Sequence, residues 1–339
     1  MSCYHPLLAT RTADPKKPVK IISKEPYLDR ETTDLLARSL SVDIRTGEAE
    51  ADFFLVPCGK CAGCRLDYSR EWADRCTMEA MMYSKDKCHF ITLTYDDENL
   101  PAGKVFRPSL DPKDLTDFMK RFRIQAERDY NIQNIRFYAC GEYGSKGLRP
   151  HYHLLVYGIT LPDLKEFFLN KMHQQIYTSE WVSKIWGKGL VSIGGLDWRC
   201  AAYVARYVMK KQKGQGAASY YEERGIVPEF VRMSLKPGIG LPYFEAHAEE
   251  IYKNDNIVLP PIDGNKHIVK PPRYFDDKYK SLNDECARRL EEIKKRRASN
   301  AQDHQDTLLR QTDLDLKGYF EMSEQALNRS LKMLKRNLE

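Results

Sequence analysis

No stretch of the 339-residue chain approaches the ~20 consecutive apolar residues that a bilayer span requires, so a membrane-spanning helix is not expected. The opening Met1-Ser2-Cys3-Tyr4-His5-Pro6 has no basic segment leading into an apolar one, so no secretory leader is expected and the chain reads as cytoplasmic. A disulfide framework is missing as well: nine cysteines is an odd number, and a reducing compartment leaves thiols unpaired. Glycine and proline almost disappear from residues 276–339. Charge is dense there, and Leu282, Cys286, Leu290 and Ile293 recur at helical spacing, which predicts a solvated helical tail. What the chain does have is core material, 42% hydrophobic residues including 20 Tyr and 13 Phe. That suffices for a large domain with appendages. The net charge of +6 suits a nucleic-acid partner without requiring one.

Read in order, residues 1–86 form an irregular arm around Pro15-Lys16-Lys17-Pro18, then the knuckle Pro57-Cys58-Gly59-Lys60-Cys61-Ala62-Gly63-Cys64. A helix follows, with Trp72, Cys76, Ala80 and Tyr83 at spacings of three and four. Residues 87–95 alternate and are rich in β-formers, a strand. Asp111-Pro112 is a helix start. Behind it Leu115, Phe118, Met119 and Phe122 form an apolar stripe, with Lys120, Arg121, Arg123 and Arg128 on the basic face. Residues 135–140 and 151–157 are strands joined through turn residues. Pro162 predicts another helix with Leu164, Phe167 and Phe168 inward, running on into residues 179–186. A short strand at 190–193, an Asp197-capped helix over 198–211, a loop from Gly214 and a strand near 230–235 complete the core. The expected class is α+β, a β-α-β-β-α-β core over residues 87–275. Its sheet is largely antiparallel with helices on one face, the cysteine knuckle precedes it and the helical tail (276–339) follows.

Three groupings carry chemistry. His151 and His153 flank one residue on a strand, so both imidazoles face the same side. Taken alone, such a pair is usually just a half-exposed strand. Glu142 ends the neighbouring strand, and a hairpin brings its carboxylate back beside them. Two imidazoles and one carboxylate with open positions suit Mg²⁺ or Mn²⁺ better than a closed structural zinc. Downstream, Tyr203 and Tyr207 lie four apart on one helix face, followed by Lys210 and Lys211. Cations beside a phenol favour its phenolate and offset charge developing on a phosphate; packing of two tyrosines on an amphipathic helix is the plainer account. Cys58, Cys61 and Cys64 have the spacing of ligands to a structural Zn²⁺ ion, with the fourth ligand open among Cys3, His5 and Cys76.

His151-Tyr152-His153 resembles the His-hydrophobe-His motif of the HUH endonucleases. Tyr203 and Tyr207 with the two lysines resemble the paired-tyrosine motif of rolling-circle initiators, and Phe90-Ile91-Thr92-Leu93-Thr94-Tyr95 resembles their upstream strand motif. Within that superfamily the chain is most similar to the replication initiators of microviruses, the gokushovirus branch, where a knuckle like residues 57–65 and an early Cys-Tyr-His-Pro also occur. The resemblance covers about residues 1–275. It implies an HUH fold, related in topology to RNA-recognition sheets, and metal-dependent nicking of single-stranded or supercoiled origin DNA. It also implies a 5′-phosphotyrosine intermediate, strand joining, and host helicase and polymerase as partners. Arg149 and Arg206 would contact the DNA backbone. A single-strand transposase, a plasmid replication or mobilisation protein, and a non-catalytic nucleic-acid-binding sheet are the competing readings. The last gives no reason for His151, His153, Tyr203 and Tyr207 together.

Overall fold

In the computed structural model of the protein, residues 3–11, 19–23, 53–105, 108–144, 147–171, 173–210 and 217–333 are described. The strands are β1 (Leu7–Arg11), β2 (Val19–Ser23), β3 (Phe53–Val56), β4 (Cys88–Thr94), β5 (Arg136–Tyr143) and β6 (Pro150–Tyr157), then β7 (Leu164–Leu169), β8 (Gln175–Ser179), β9 (Val191–Gly195), β10 (Phe230–Met233), β11 (Ile257–Ile262) and β12 (Asn265–Val269). The helices are α1 (Ala62–Ala80), α2 (Pro112–Tyr130), α3 (Glu180–Trp186), α4 (Trp198–Lys210) and α5 (Ala217–Arg224). After them come α6 (Leu241–Asn254), α7 (Arg273–Lys280), α8 (Asp284–Arg310) and α9 (Leu316–Met333). Among the described residues no helix is long and apolar enough to cross a membrane.

The described residues divide into two units, one holding those up to Tyr68 and from Glu292 onward, the other running Ser69–Glu291. In the first, β2-β1-β3 form an antiparallel sheet with Leu7 opposite Val56. The second is built on a seven-stranded sheet, order β10-β5-β6-β4-β9-β8-β7, and every pair in it is antiparallel.

Strand periodicity gives this sheet two different faces. Ile91 and Leu93 of β4, Phe137 and Ala139 of β5, and Tyr152, Leu154 and Val156 of β6 pack against Leu115, Phe118 and Phe122 of α2 and Val182 and Trp186 of α3. The alternate residues Cys88, Tyr138, Cys140, Leu155 and Tyr157 pack against Ala73 and Cys76 of α1 and Cys200–Val204 of α4. Helices therefore cover both faces and not the one face expected. The α2 start is as the sequence predicts, with Asp111 as N-cap accepting from the Lys113 N–H at 2.8 Å.

One helix expected from sequence is a strand. Residues 164–169 form β7, paired with β8 as a hairpin inserted into the β-α-β-β-α-β order at the sheet edge. Asp163 does serve as a cap, but for another element. It accepts from Ser179 Oγ at 2.7 Å and from the Trp181 N–H at 2.8 Å, at the start of α3. Beyond Gly214–Gly216, which fall outside the described residues, the chain holds α5, α6 and the β11–β12 hairpin, which the sequence pattern did not reveal.

Candidate active site

Alternation along β6 turns His151 and His153 toward the α1/α4 face, and Tyr152 between them toward the α2/α3 face. The Tyr152 hydroxyl accepts from the Asp111 N–H at 3.0 Å and lies 2.8 Å from the Tyr95 hydroxyl. Burial pushes the ionisation of both phenols up, so each stays a neutral anchor of the strand.

β6 lies between β5 and β4, and both neighbours contribute to the site. Glu142 of β5 is directly opposite His151, while Thr94 and Thr92 of β4 are opposite His151 and His153. The Thr94 hydroxyl is 3.2 Å from His151 Nδ1, and that of Thr92 is 3.0 Å from His153 Nδ1. With Nδ1 engaged in this way, Nε2 is the nitrogen left for other work. His153 Nε2 lies 2.8 Å from Glu142 Oε1. His151 Nε2 faces Gly144, where an added Cβ would come within 2.8 Å of it. That glycine keeps space open beside the nitrogen.

Tyr203 reaches the same carboxylate from α4, its hydroxyl donating to Glu142 Oε1 at 3.4 Å. Its ring meets His153 edge-on at 5.1 Å, and Phe90 stacks on the other side of that imidazole at 5.7 Å with planes only 10° apart. Glu142 is 1% exposed, His153 6% and Tyr203 8%. A carboxylate this deep requires a proton or cation beside it. Two imidazole Nε2 atoms and one carboxylate form a donor set carrying one negative charge, which fits a divalent cation. The set is spread wider than a coordination sphere, the imidazole centroids lying 6.4 Å apart. The phenols Tyr138, Tyr143 and Tyr157 are buried, so base stacking on them is closed off and their packing reading stands.

The remaining sequence-predicted residues are distributed as follows. Tyr207 and Lys210 lie on α4 one and two turns past Tyr203, and Lys211 falls outside the described residues. Arg206 is exposed on α4. Arg149 is engaged within the protein, donating to the Tyr95 carbonyl at 2.7 and 3.1 Å and to Asp97 at 2.7 Å. Basic α2 packs on the face opposite the histidines, and its Arg121 and Arg123 donate to the carbonyls of Ile185 and Ile135. Sequence reasoning gave no role to Thr92 and Thr94. Their signal was alternation in Phe90-Ile91-Thr92-Leu93-Thr94, legible only once β4 is known to adjoin β6. A cavity of about 270 Å³ opens beside Phe90 and Thr92, lined also by Asn170, Gln174, Ser192 and Asp197.

The cysteine knuckle lies in the first unit. Cys3, Cys58, Cys61 and Cys64 converge there, all four Sγ atoms within 4.8 Å of one another. Of the three candidates for fourth partner, Cys3 takes the place. Cys76 is buried in the sheet core, and His5 Nε2 lies 2.7 Å from Glu324 Oε2.

Residues 88–212, which carry β4 through α4, match the family model for replication-associated protein ORF2. The chain is 41% identical over 221 residues to replication-associated protein ORF2 of Spiroplasma virus 4, covering 65% of this chain and 66% of that one. It is 34% identical over 230 residues to replication-associated protein VP4 of Bdellovibrio phage phiMH2K, covering 67% and 68%. Over 239 residues it is 29% identical to replication-associated protein ORF4 of Chlamydia phage 1, covering 68% and 54%. The matched stretches span about two thirds of the first two relatives and about half of the third. No solved structure matches the chain.

Proposed function

Since the chain belongs to the family of phage replication-associated proteins, we propose that it starts rolling-circle replication by nicking origin DNA through a tyrosine nucleophile. One observation carries this reading: a single carboxylate oxygen, Glu142 Oε1, is shared between the His153 imidazole and the Tyr203 hydroxyl. A nucleophile, an imidazole and a buried acid from three separate elements have no packing reason to share one atom.

Glu142, His151 and His153 hold the divalent ion, Mg²⁺ or Mn²⁺. When bound, the ion supplies Lewis-acid polarisation of a phosphoryl oxygen. Thr92 and Thr94 keep both imidazoles in the orientation that offers Nε2. Phe90 and the Tyr203 ring wall the His153 imidazole off from water. The cleft beside Thr92 takes an unpaired base of the bound strand. Lys210 and Lys211, two turns beyond Tyr203, counter the phosphate's charge, and Arg149 and Arg206 border the DNA backbone.

In the nicking step the Tyr203 phenolic oxygen bonds to phosphorus and the P–O3′ bond breaks. The 3′ oxygen leaves as a hydroxyl that primes a polymerase, and the 5′ end stays on the enzyme as a phosphotyrosine. The ester retains the energy of the cut bond, so no nucleoside triphosphate is needed. Tyr207, one helical turn on, attacks the regenerated origin after a round of synthesis. The newly freed 3′-hydroxyl then displaces the first tyrosine and closes a circle. Two tyrosines on one helix suit this alternation. Origin DNA and the host helicase and polymerase are the partners, met in the host cytoplasm.

The test is a denaturing gel of the full chain incubated with labelled single-stranded origin DNA and Mn²⁺. A DNA-linked protein band is expected. It should vanish in His153→Ala and Glu142→Gln, and the Tyr203→Phe and Tyr207→Phe chains should each keep cutting but lose circle closure. Cleavage with no adduct at any time point would overturn the proposal.

A further inference from the structure

Four thiols meet in the first unit although their positions in sequence run from 3 to 64. Two local structures bring them together. The β1–β3 ladder sets Leu7 opposite Val56, so Cys3, four residues before Leu7, and Cys58, two after Val56, leave the same end of the sheet. The knuckle then turns through Gly59 at φ +71°, a conformation glycine adopts without strain, and delivers Cys61 and Cys64 to the first turn of α1.

The separations discriminate between chemistries. Cys58 Sγ lies 3.9 Å from Cys64 Sγ, and Cys61 Sγ lies 4.0 Å from Cys3 Sγ. A disulfide needs about 2.05 Å, and all nine cysteines are free. Four sulfurs at the corners of a tetrahedron around one zinc, each bonded at about 2.3 Å, stand about 3.8 Å apart. The quartet has that spacing and leaves no room for a multi-iron cluster.

Backbone amides are arranged as thiolates require. The Cys58 N–H donates to Cys3 Sγ at 3.2 Å. The Lys60 and Cys61 N–H groups both donate to Cys58 Sγ at 3.4 Å, and that of Cys64 donates to Cys61 Sγ at 3.5 Å. The N-terminus of α1 adds its positive end. Cys3, Cys61 and Cys64 are each no more than 9% exposed. Four buried thiols without an ion would be a weak hydrophobic cluster, whereas four thiolates require one.

We propose that Cys3, Cys58, Cys61 and Cys64 bind one structural Zn²⁺ ion that pins the segment leading into β1 to the head of α1. All four ligands come from the protein, so the ion is closed to substrate and its role is to hold this part of the chain together, separate from the histidine site.

The test uses the purified full chain. Elemental analysis should give about one zinc per chain in the wild type and in Glu142→Gln, which places the ion away from the histidines. Cys286→Ser should keep it, and Cys3→Ser should lose most of it. Native alkylation followed by peptide mass spectrometry covers the case in which Cys3→Ser fails to fold. In the wild type the four cysteines should resist labelling at least tenfold better before treatment with a strong zinc chelator than after it. Absence of zinc, stoichiometric iron in its place, a disulfide among the four, or labelling indifferent to the chelator would each overturn the proposal.

Discussion

Thr92 and Thr94 show how much of the site depends on side chains that do no chemistry of their own. Each hydroxyl sits against a histidine Nδ1, and fixing that nitrogen decides what Nε2 can do. Thr92→Val keeps the shape and removes the partner. It should weaken Mn²⁺ activation of nicking by roughly 10–100-fold, read as a shift in the Mn²⁺ concentration for half-maximal activity with little change in melting temperature. His89 gives a second expectation. It is buried on the other end of β4 with Nε2 2.9 Å from the Ile159 carbonyl, and burial lowers its pKa. The folded chain thus holds His89 neutral where an unfolded chain, with its value of about 6.5, already takes a proton. That contribution to stability is complete above about pH 6.5 and is lost as pH falls toward the lowered folded value. Urea midpoints measured from pH 7.5 to 5 should fall more steeply for the wild type than for His89→Gln. At this scale His151, His153 and Glu142 were legible because two-residue periodicity and one short hairpin suffice to gather them. The threonines were not, because their partners lie 57 and 61 residues away and only strand order joins them.

At the scale of elements, residues 164–169 explain where periodicity fails as a guide. Phe167, Phe168 and Leu169 stay exposed on β7, the outermost strand. A strand with neither face buried has no reason to alternate, and Pro162-Asp163 has the look of a helix start because Asp163 does cap one, across the hairpin. The elements around the site were legible where burial imposed a period, as in β4, β6 and α2. The segment between α3 and β9 imposes a stricter demand. Gly189 has φ +133°, and a Cβ there would collide with the Asp96 nitrogen and the Thr94 carbonyl oxygen. Backbone cannot yield as a side-chain tip can. Gly189→Ala should therefore push the end of β4 away, costing about 1–3 kcal/mol in backbone strain alone. Nicking should fall further than the melting temperature suggests, because Thr94 moves with the strand.

At the scale of the whole molecule, the sheet unit is locked by a buried ion pair far from the histidines in sequence. Glu79 of α1, fully buried, pairs with Arg136 at the start of β5. Its other oxygen accepts from the Gly240 N–H at 2.7 Å, and Arg136 also donates to the carbonyls of Pro237 and Gly238. Arg75 extends the lock, lying 4.0 Å from the Trp72 ring and 4.1 Å from that of Tyr274 while donating to the Ile239 carbonyl. A buried pair whose remaining lone pairs and protons are answered in this way is costly to break from one side. Glu79→Gln should lower unfolding free energy by about 3–5 kcal/mol, measured by urea denaturation, and the nicking rate of the molecules that remain folded should change little. None of this was legible in the sequence. Glu79 and Arg136 look like ordinary surface charges until α1 is seen to lie across the sheet.

Glu142, His151 and Thr94 occupy one transverse row of three strands, and Cys140, His153 and Thr92 the next. The hairpin that joins β5 to β6 closes with the Gly144 N–H on the Arg149 carbonyl and supplies no donor atom to the proposed metal. Bond-breaking chemistry thus rests on the rungs of a ladder, where a slip of one residue would turn every donor away. The loops at the strand ends are free of that constraint. Such a protein can acquire a new origin by rewriting its loops while its chemistry is inherited unchanged, and chimeras exchanging those loops between related chains should exchange the DNA recognised without losing the cut.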